Sequence, residues 1–99
     1  AWVDALDLLE TDDDGVLARW GRWYLAERDP RWHRRNALVV LGNAARPGAR
    51  VDRVIAHYLA HDDPVLRVHA VWAARRLGLH HLVPTDDPHP DVRDELNAE

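Results

Sequence analysis

The stretch that most constrains the fold is Arg34-Arg35-Asn36-Ala37-Leu38-Val39-Val40-Leu41-Gly42-Asn43, where two arginines lead into five consecutive apolar residues and a Gly-Asn stop. Such a run fits a short helix buried nearly all round and ended by Gly42-Asn43 in left-handed geometry. Thirty-three residues later stands Arg67-Val68-His69-Ala70-Val71-Trp72-Ala73-Ala74-Arg75, so that Arg34 falls on Arg67, Ala37 on Ala70, Val40 on Ala73 and Leu41 on Ala74. A fixed offset with matched apolar positions marks a helical repeat, whose units bury their apolar faces only against one another.

The rest of the chain fits around that pair. Trp2, Val3, Ala5, Leu6, Leu8 and Leu9 take helical spacing between Trp2 and Glu10. Thr11-Asp12-Asp13-Asp14 then reads as a helix start, with side-chain oxygens to cap free amides and negative charge to suit the helix dipole. Val16, Leu17, Trp20, Trp23 and Tyr24 carry the spacing on, with Gly21 a weak point and Leu25 to Asp29 a connection. Asp29-Pro30 opens a helix predicted from Arg31 to Asn43, because proline is tolerated in a first turn. Arg46-Pro47-Gly48 is a turn. Val51, Val54, Ile55, Tyr58 and Leu59 form an amphipathic stripe. His61-Asp62-Asp63-Pro64 closes that helix and opens another, predicted to reach Gly78 with Leu66, Ala70, Ala73, Ala74 and Leu77 inward. Pro84 to Pro90 is a loop, after which Pro90-Asp91-Val92-Arg93 repeats Pro64-Val65-Leu66-Arg67. The prediction is an all-α, HEAT-like solenoid of about six helices in antiparallel pairs. It forms one domain over 1–99, with capping helices at 2–24, repeats at 30–61 and 63–83, and a partial repeat at 88–97.

Composition removes several function classes. Cysteine is absent, so no disulfide, thiolate nucleophile or iron–sulfur ligand lies in these residues. Serine is absent too, which leaves two threonines as hydroxyl nucleophiles and no basis for a triad. No run of 18 apolar residues is present to span a membrane. The chain begins at Ala1 without a signal-peptide pattern and reads as a piece of a longer protein. All 13 basic residues are arginine, the residue suited to bidentate contacts with phosphate or carboxylate. A net charge of −4 opposes a generic nucleic-acid binder, although a local basic face is compatible with it.

Trp23-Tyr24, Arg28-Asp29-Pro30, Arg34-Arg35-Asn36-Ala37-Leu38 and Leu41-Gly42-Asn43, with Tyr58-Leu59, Asp63-Pro64, Arg67, His69-Ala70, Trp72-Ala73 and Leu77-Gly78, carry a resemblance to a known family. From about Trp2 to Leu79 the chain resembles the C-terminal HEAT-like region of epoxyqueuosine reductases, in the variant of high-GC actinobacterial members. It departs from the family's pattern at Ala74-Arg75, where Leu-Gly is usual. The resemblance implies a cytoplasmic protein acting in queuosine biosynthesis. It implies cobalamin and two four-iron–four-sulfur clusters in upstream domains, with no cofactor in this chain. It also implies a non-catalytic role, docking the tRNA anticodon stem-loop and packing on the catalytic domain.

The candidate RNA contacts are Arg31, Arg34, Arg35 and Asn36, followed by Arg67, His69 and Arg75. Arg34 and Arg67 have an architectural alternative, pairing with Asp29, Asp62 or Asp63. Asn36 and His69 have another, bonding a backbone carbonyl beside the core. His57 and His61 lie four apart on one helix face but lack the HExxH pattern of a zinc site and are expected at the surface. His80, His81 and His89 are expected to be exposed. Trp2, Trp20 and Trp72 are expected in the core, whereas Trp23 and Trp32 are placed to stack on a base or an arginine, or to pack in the core or at an interface. The rival to RNA recognition is a HEAT-type scaffold that binds a peptide or protein. A continuous arginine stripe favours RNA, and arginines locked in ion pairs between apolar patches favour the scaffold.

Overall fold

The computed structural model describes residues 2–20 and 29–98, and the regular structure among them is entirely helical. The six helices are α1 (Trp2–Leu9), α2 (Asp13–Trp20), α3 (Pro30–Ala44), α4 (Ala49–Leu59), α5 (Pro64–Arg76) and α6 (Pro90–Asn97), with a 3-10 turn at His80–Leu82. The expectations for Gly21, Trp23, Tyr24 and the connection from Leu25 fall outside the described residues.

Helix starts follow the sequence signals closely. Asp29 and Asp63 each turn their carboxylate back to accept the amide two residues on, from Arg31 at 2.9 Å and from Val65 at 3.0 Å, with proline next in line. His89 serves the same purpose for α6, its Nδ1 accepting from the Asp91 amide at 3.1 Å. At α2 the Asp12 carboxylate accepts from the Gly15 amide at 2.8 Å. These caps satisfy amides that the first turn of a helix leaves without a partner.

The helix ends differ from expectation in one informative place. Gly42 does not terminate α3, which continues to Ala44 with the Ala45 amide bonded to Leu41 O. Its lack of a side chain serves packing instead, because a Cβ there would overlap the six-membered ring of Trp72. Among the described residues the left-handed glycine is Gly78, at φ 75°, just beyond the end of α5 at Arg76.

α5 is the hub, packing on α3, α4 and α6, while α3 also packs on α1 and α2. Ala70, Ala73 and Ala74 are wholly buried and let α5 approach its neighbours closely. The core around them is built from Leu6, Leu38, Leu41, Ile55, Tyr58 and Leu66. The shortest dimension is 18 Å, enough for two helical layers at the usual 8–10 Å spacing. Trp2 and Trp72 are half-buried against this core. The two valines most open to solvent, Val3 and Val40, lie on α1 and α3.

Candidate nucleic-acid interface

The candidate arginines divide into two groups by what their guanidinium groups touch. Arg34 points inward and is only 7% exposed. Its Nη1 donates to Tyr58 OH at 2.7 Å, and its Nη2 donates to Thr11 O at 2.9 Å and Asp13 Oδ1 at 2.7 Å. Tyr58 OH in turn donates to Leu9 O at 2.6 Å, so one node ties α1, α2, α3 and α4 together. Burial works against the Arg34 charge, but the Asp13 carboxylate and Tyr58 more than offset it and hold the group protonated. Burial pushes the Tyr58 phenol up, with Arg34 opposing.

Arg67 makes a fork on Asp87, Nε to Oδ2 at 2.9 Å and Nη2 to Oδ1 at 3.1 Å, while Nη1 donates to His61 O and Asp62 O. That fork, together with the His89 amide, keeps the Asp87 carboxyl below its ordinary range although burial raises it. Arg75 reaches across to the end of α6 and donates to the carbonyls of Glu95, Leu96 and Ala98, adding to the bond that Glu95 O already accepts from the Ala98 amide. Arg34, Arg67 and Arg75 thus spend their donors inside the fold. The acids are not those anticipated for Arg34 and Arg67: Asp29 is committed to its cap, and Asp63 both caps α5 and takes Arg31 Nε at 2.6 Å.

The second group lies on the outward face of α3 and α5. The guanidinium of Arg35 sits over the Trp32 ring at 4.8 Å, and that of Arg31 over the same ring at 5.7 Å. Arg35 Nη2 also donates to Asn36 Oδ1 at 3.2 Å. On α5, Arg76 lies over the Trp72 ring at 5.1 Å, with its Nε 3.2 Å from Gly42 O. Arg76 was not singled out from the sequence, although its spacing of four from Trp72 puts the two on one helix face. Val39, Val65 and Val68 are half-buried on these two helices. His69 is half-buried, and its Nδ1 lies 2.8 Å from Val65 O; a carbonyl only accepts, so Nδ1 carries the proton.

A cleft of about 600 Å³ opens between α4 and the α1–α2 connection, lined by Glu10, Asp13, Arg34, Arg53, His57 and His61 among others. His57 is exposed and His61 half-buried, the latter stacked on Tyr58 at 5.4 Å with the rings 3° from parallel. His61 Nδ1 accepts from the Asp63 amide at 3.0 Å. Its neutral ring therefore holds its proton on Nε2, whereas a histidine bound to metal through Nε2 needs Nδ1 to donate. Burial pushes the His61 pKa down. No group of three or more potential metal ligands occurs among the described residues. His80 and His81 are exposed and His89 half-buried at its cap.

Comparison with known protein families, characterised proteins and solved structures returns no match to this chain.

Proposed function

We propose that this chain is a HEAT-like helical-repeat binding module, a non-catalytic accessory domain of an epoxyqueuosine reductase-like enzyme that supports recognition of a tRNA anticodon stem-loop. The observation that carries the reading is the pair of arginine–tryptophan stacks on adjoining helices, Arg35 over Trp32 and Arg76 over Trp72. A guanidinium laid on an indole uses its face and keeps N–H donors at its edge, the geometry that phosphate takes bidentately. The indole also holds the arginine in place before binding, which lowers the ordering cost of contact. In this reading Arg31, Arg35 and Asn36 meet the RNA with Arg76 beside them, and His69 flanks the face. Arg34, Arg67 and Arg75 are struts that keep the helices in register. Cobalamin, the iron–sulfur clusters and the reaction itself belong to a catalytic domain on which this module packs.

A second reading, a protein-interaction scaffold, draws on the same inward commitment of Arg34, Arg67 and Arg75, which leaves fewer cations for a phosphate backbone. Binding of the chain to an anticodon stem-loop across a salt series separates the two. RNA recognition requires affinity that falls with salt, and a shallower slope in an Arg35→Ala/Arg76→Ala variant that still folds. Absence of binding at low salt would favour the scaffold.

A further inference from the structure

We propose that the cleft between α4 and the α1–α2 connection is a phosphate-binding site whose donors are Arg53, His57 and His61. The proposal stands on this cleft alone, which shares no residue with the arginine–tryptophan face of α3 and α5. Its volume of about 600 Å³ is that of a small-molecule site. Residues 53, 57 and 61 recur every four positions, so α4 and the residues just past its end bring all three to one side. Among the described residues no carboxylate lies within ion-pair distance of Arg53, although its charge also acts on Glu10 across the cleft. Because His61 Nδ1 accepts from the Asp63 amide, its Nε2 carries the proton and is a donor even when the ring is neutral.

The carboxylates that share the cleft would repel an anion if they were unopposed. Each is already engaged. Glu10 accepts from Arg50 Nε at 3.0 Å, Asp13 from Arg34 at 2.7 Å, and Asp12 caps α2 through the Gly15 amide. The guanidinium of Arg34 lies beneath them as a fixed positive charge that cannot be titrated away. The stacked rings of Tyr58 and His61 give the cleft a flat aromatic wall beside those donors. A phosphate group is the ligand these donors fit, carried either by a free phosphomonoester or by an RNA backbone.

Titration of the full chain with inorganic phosphate at low ionic strength, followed by NMR of the Arg53, His57 and His61 side chains, tests the site. Saturable shifts confined to these three are expected, with a Kd of about 1 mM. Arg53→Gln is expected to weaken binding about tenfold. Glu10→Gln, which removes a negative charge from the rim, is expected to tighten it about threefold. Non-saturating shifts spread over exposed arginines at large, or no change in affinity with Arg53→Gln, would overturn the proposal. Adenosine monophosphate and a hairpin RNA identify the source. Displacement of bound hairpin by phosphate assigns the site to RNA backbone, and shifts by the monophosphate alone assign it to a free phosphomonoester.

Discussion

Arg34→Ala tests whether this chain's arginines are architectural. The substitution deletes the bonds to Tyr58 OH, Thr11 O and Asp13 Oδ1. Asp13 is 73% exposed and returns to water when its partner goes, so the ion pair itself contributes little to the cost. The buried bond to Tyr58 is worth about 2 kcal/mol as a charge-assisted hydrogen bond, and the Thr11 carbonyl about 1 kcal/mol. The emptied space of the aliphatic stem adds about 1 kcal/mol. The total is about 4 kcal/mol, a large share of the roughly 5–15 kcal/mol that holds a domain folded. At about 4–8 °C per kcal/mol for a domain of this size, the melting temperature should fall by roughly 16–32 °C. Urea unfolding followed by tryptophan fluorescence reads the change. Asp13→Asn should cost less than about 1 kcal/mol. In a double-mutant cycle, Arg34→Ala and Tyr58→Phe should couple by about 1–2 kcal/mol. A loss below about 1 kcal/mol for Arg34→Ala, or additivity of the pair within about 0.5 kcal/mol, would refute the reasoning.

Gly42→Ala would ordinarily favour a helix, but the Trp72 ring occupies the new methyl's place, so a loss of about 1–3 kcal/mol in denaturant stability is expected; a gain would mean the ring moves aside freely. Burial lowers the pKa of His33 and His61 from 6.5, so the unfolded chain binds more protons between the folded values and pH 6.5. Their contribution is full above that pH and is lost as pH falls through the folded values, so the urea midpoint should be lower at pH 5.5 than at pH 7.5 and His61→Gln should flatten the difference; an unchanged midpoint sinks this account. Glu10 and Asp87, lowered from 4.5 and 3.8, act only in more acidic solution. Arg75→Ala removes donors to three carbonyls at the end of α6 and should speed hydrogen exchange in Val92 to Asn97 while α3 and α4 keep their protection.

Local signals were legible where the physics is local. Asp29-Pro30 and Asp63-Pro64 announce helix starts because cap and proline act within two or three residues, and both caps form. Gly42 was misread because a glycine needed for a left-handed turn and one needed for close approach look alike until the facing side chain is known. That side chain, Trp72, lies 30 residues away. Arg34 belongs with Asp13 and Tyr58, 21 and 24 residues distant, and no spacing rule reaches so far. Tyr58 fits the apolar stripe of α4, and that spacing carries no sign of its hydroxyl, the centre of the node. The fork of Arg67 on Asp87 crosses a proline-rich loop and is decided by tertiary packing. Arg76 was within reach, since tryptophan and arginine at a spacing of four predict a stack.

The position of α6 sets an order of events. It packs mainly on α5, burying Val92 there, and Arg75 closes its last turn. α3 and α5, by contrast, each have several neighbours. Detachment of α6 is therefore a partial opening of the native state that leaves the hub assembled. Chain growth runs the other way: a nucleus of α3, α4 and α5 can form first and dock α6 afterwards. Mutations in α6 should then accelerate unfolding while barely slowing refolding, the signature of an element added after the transition state.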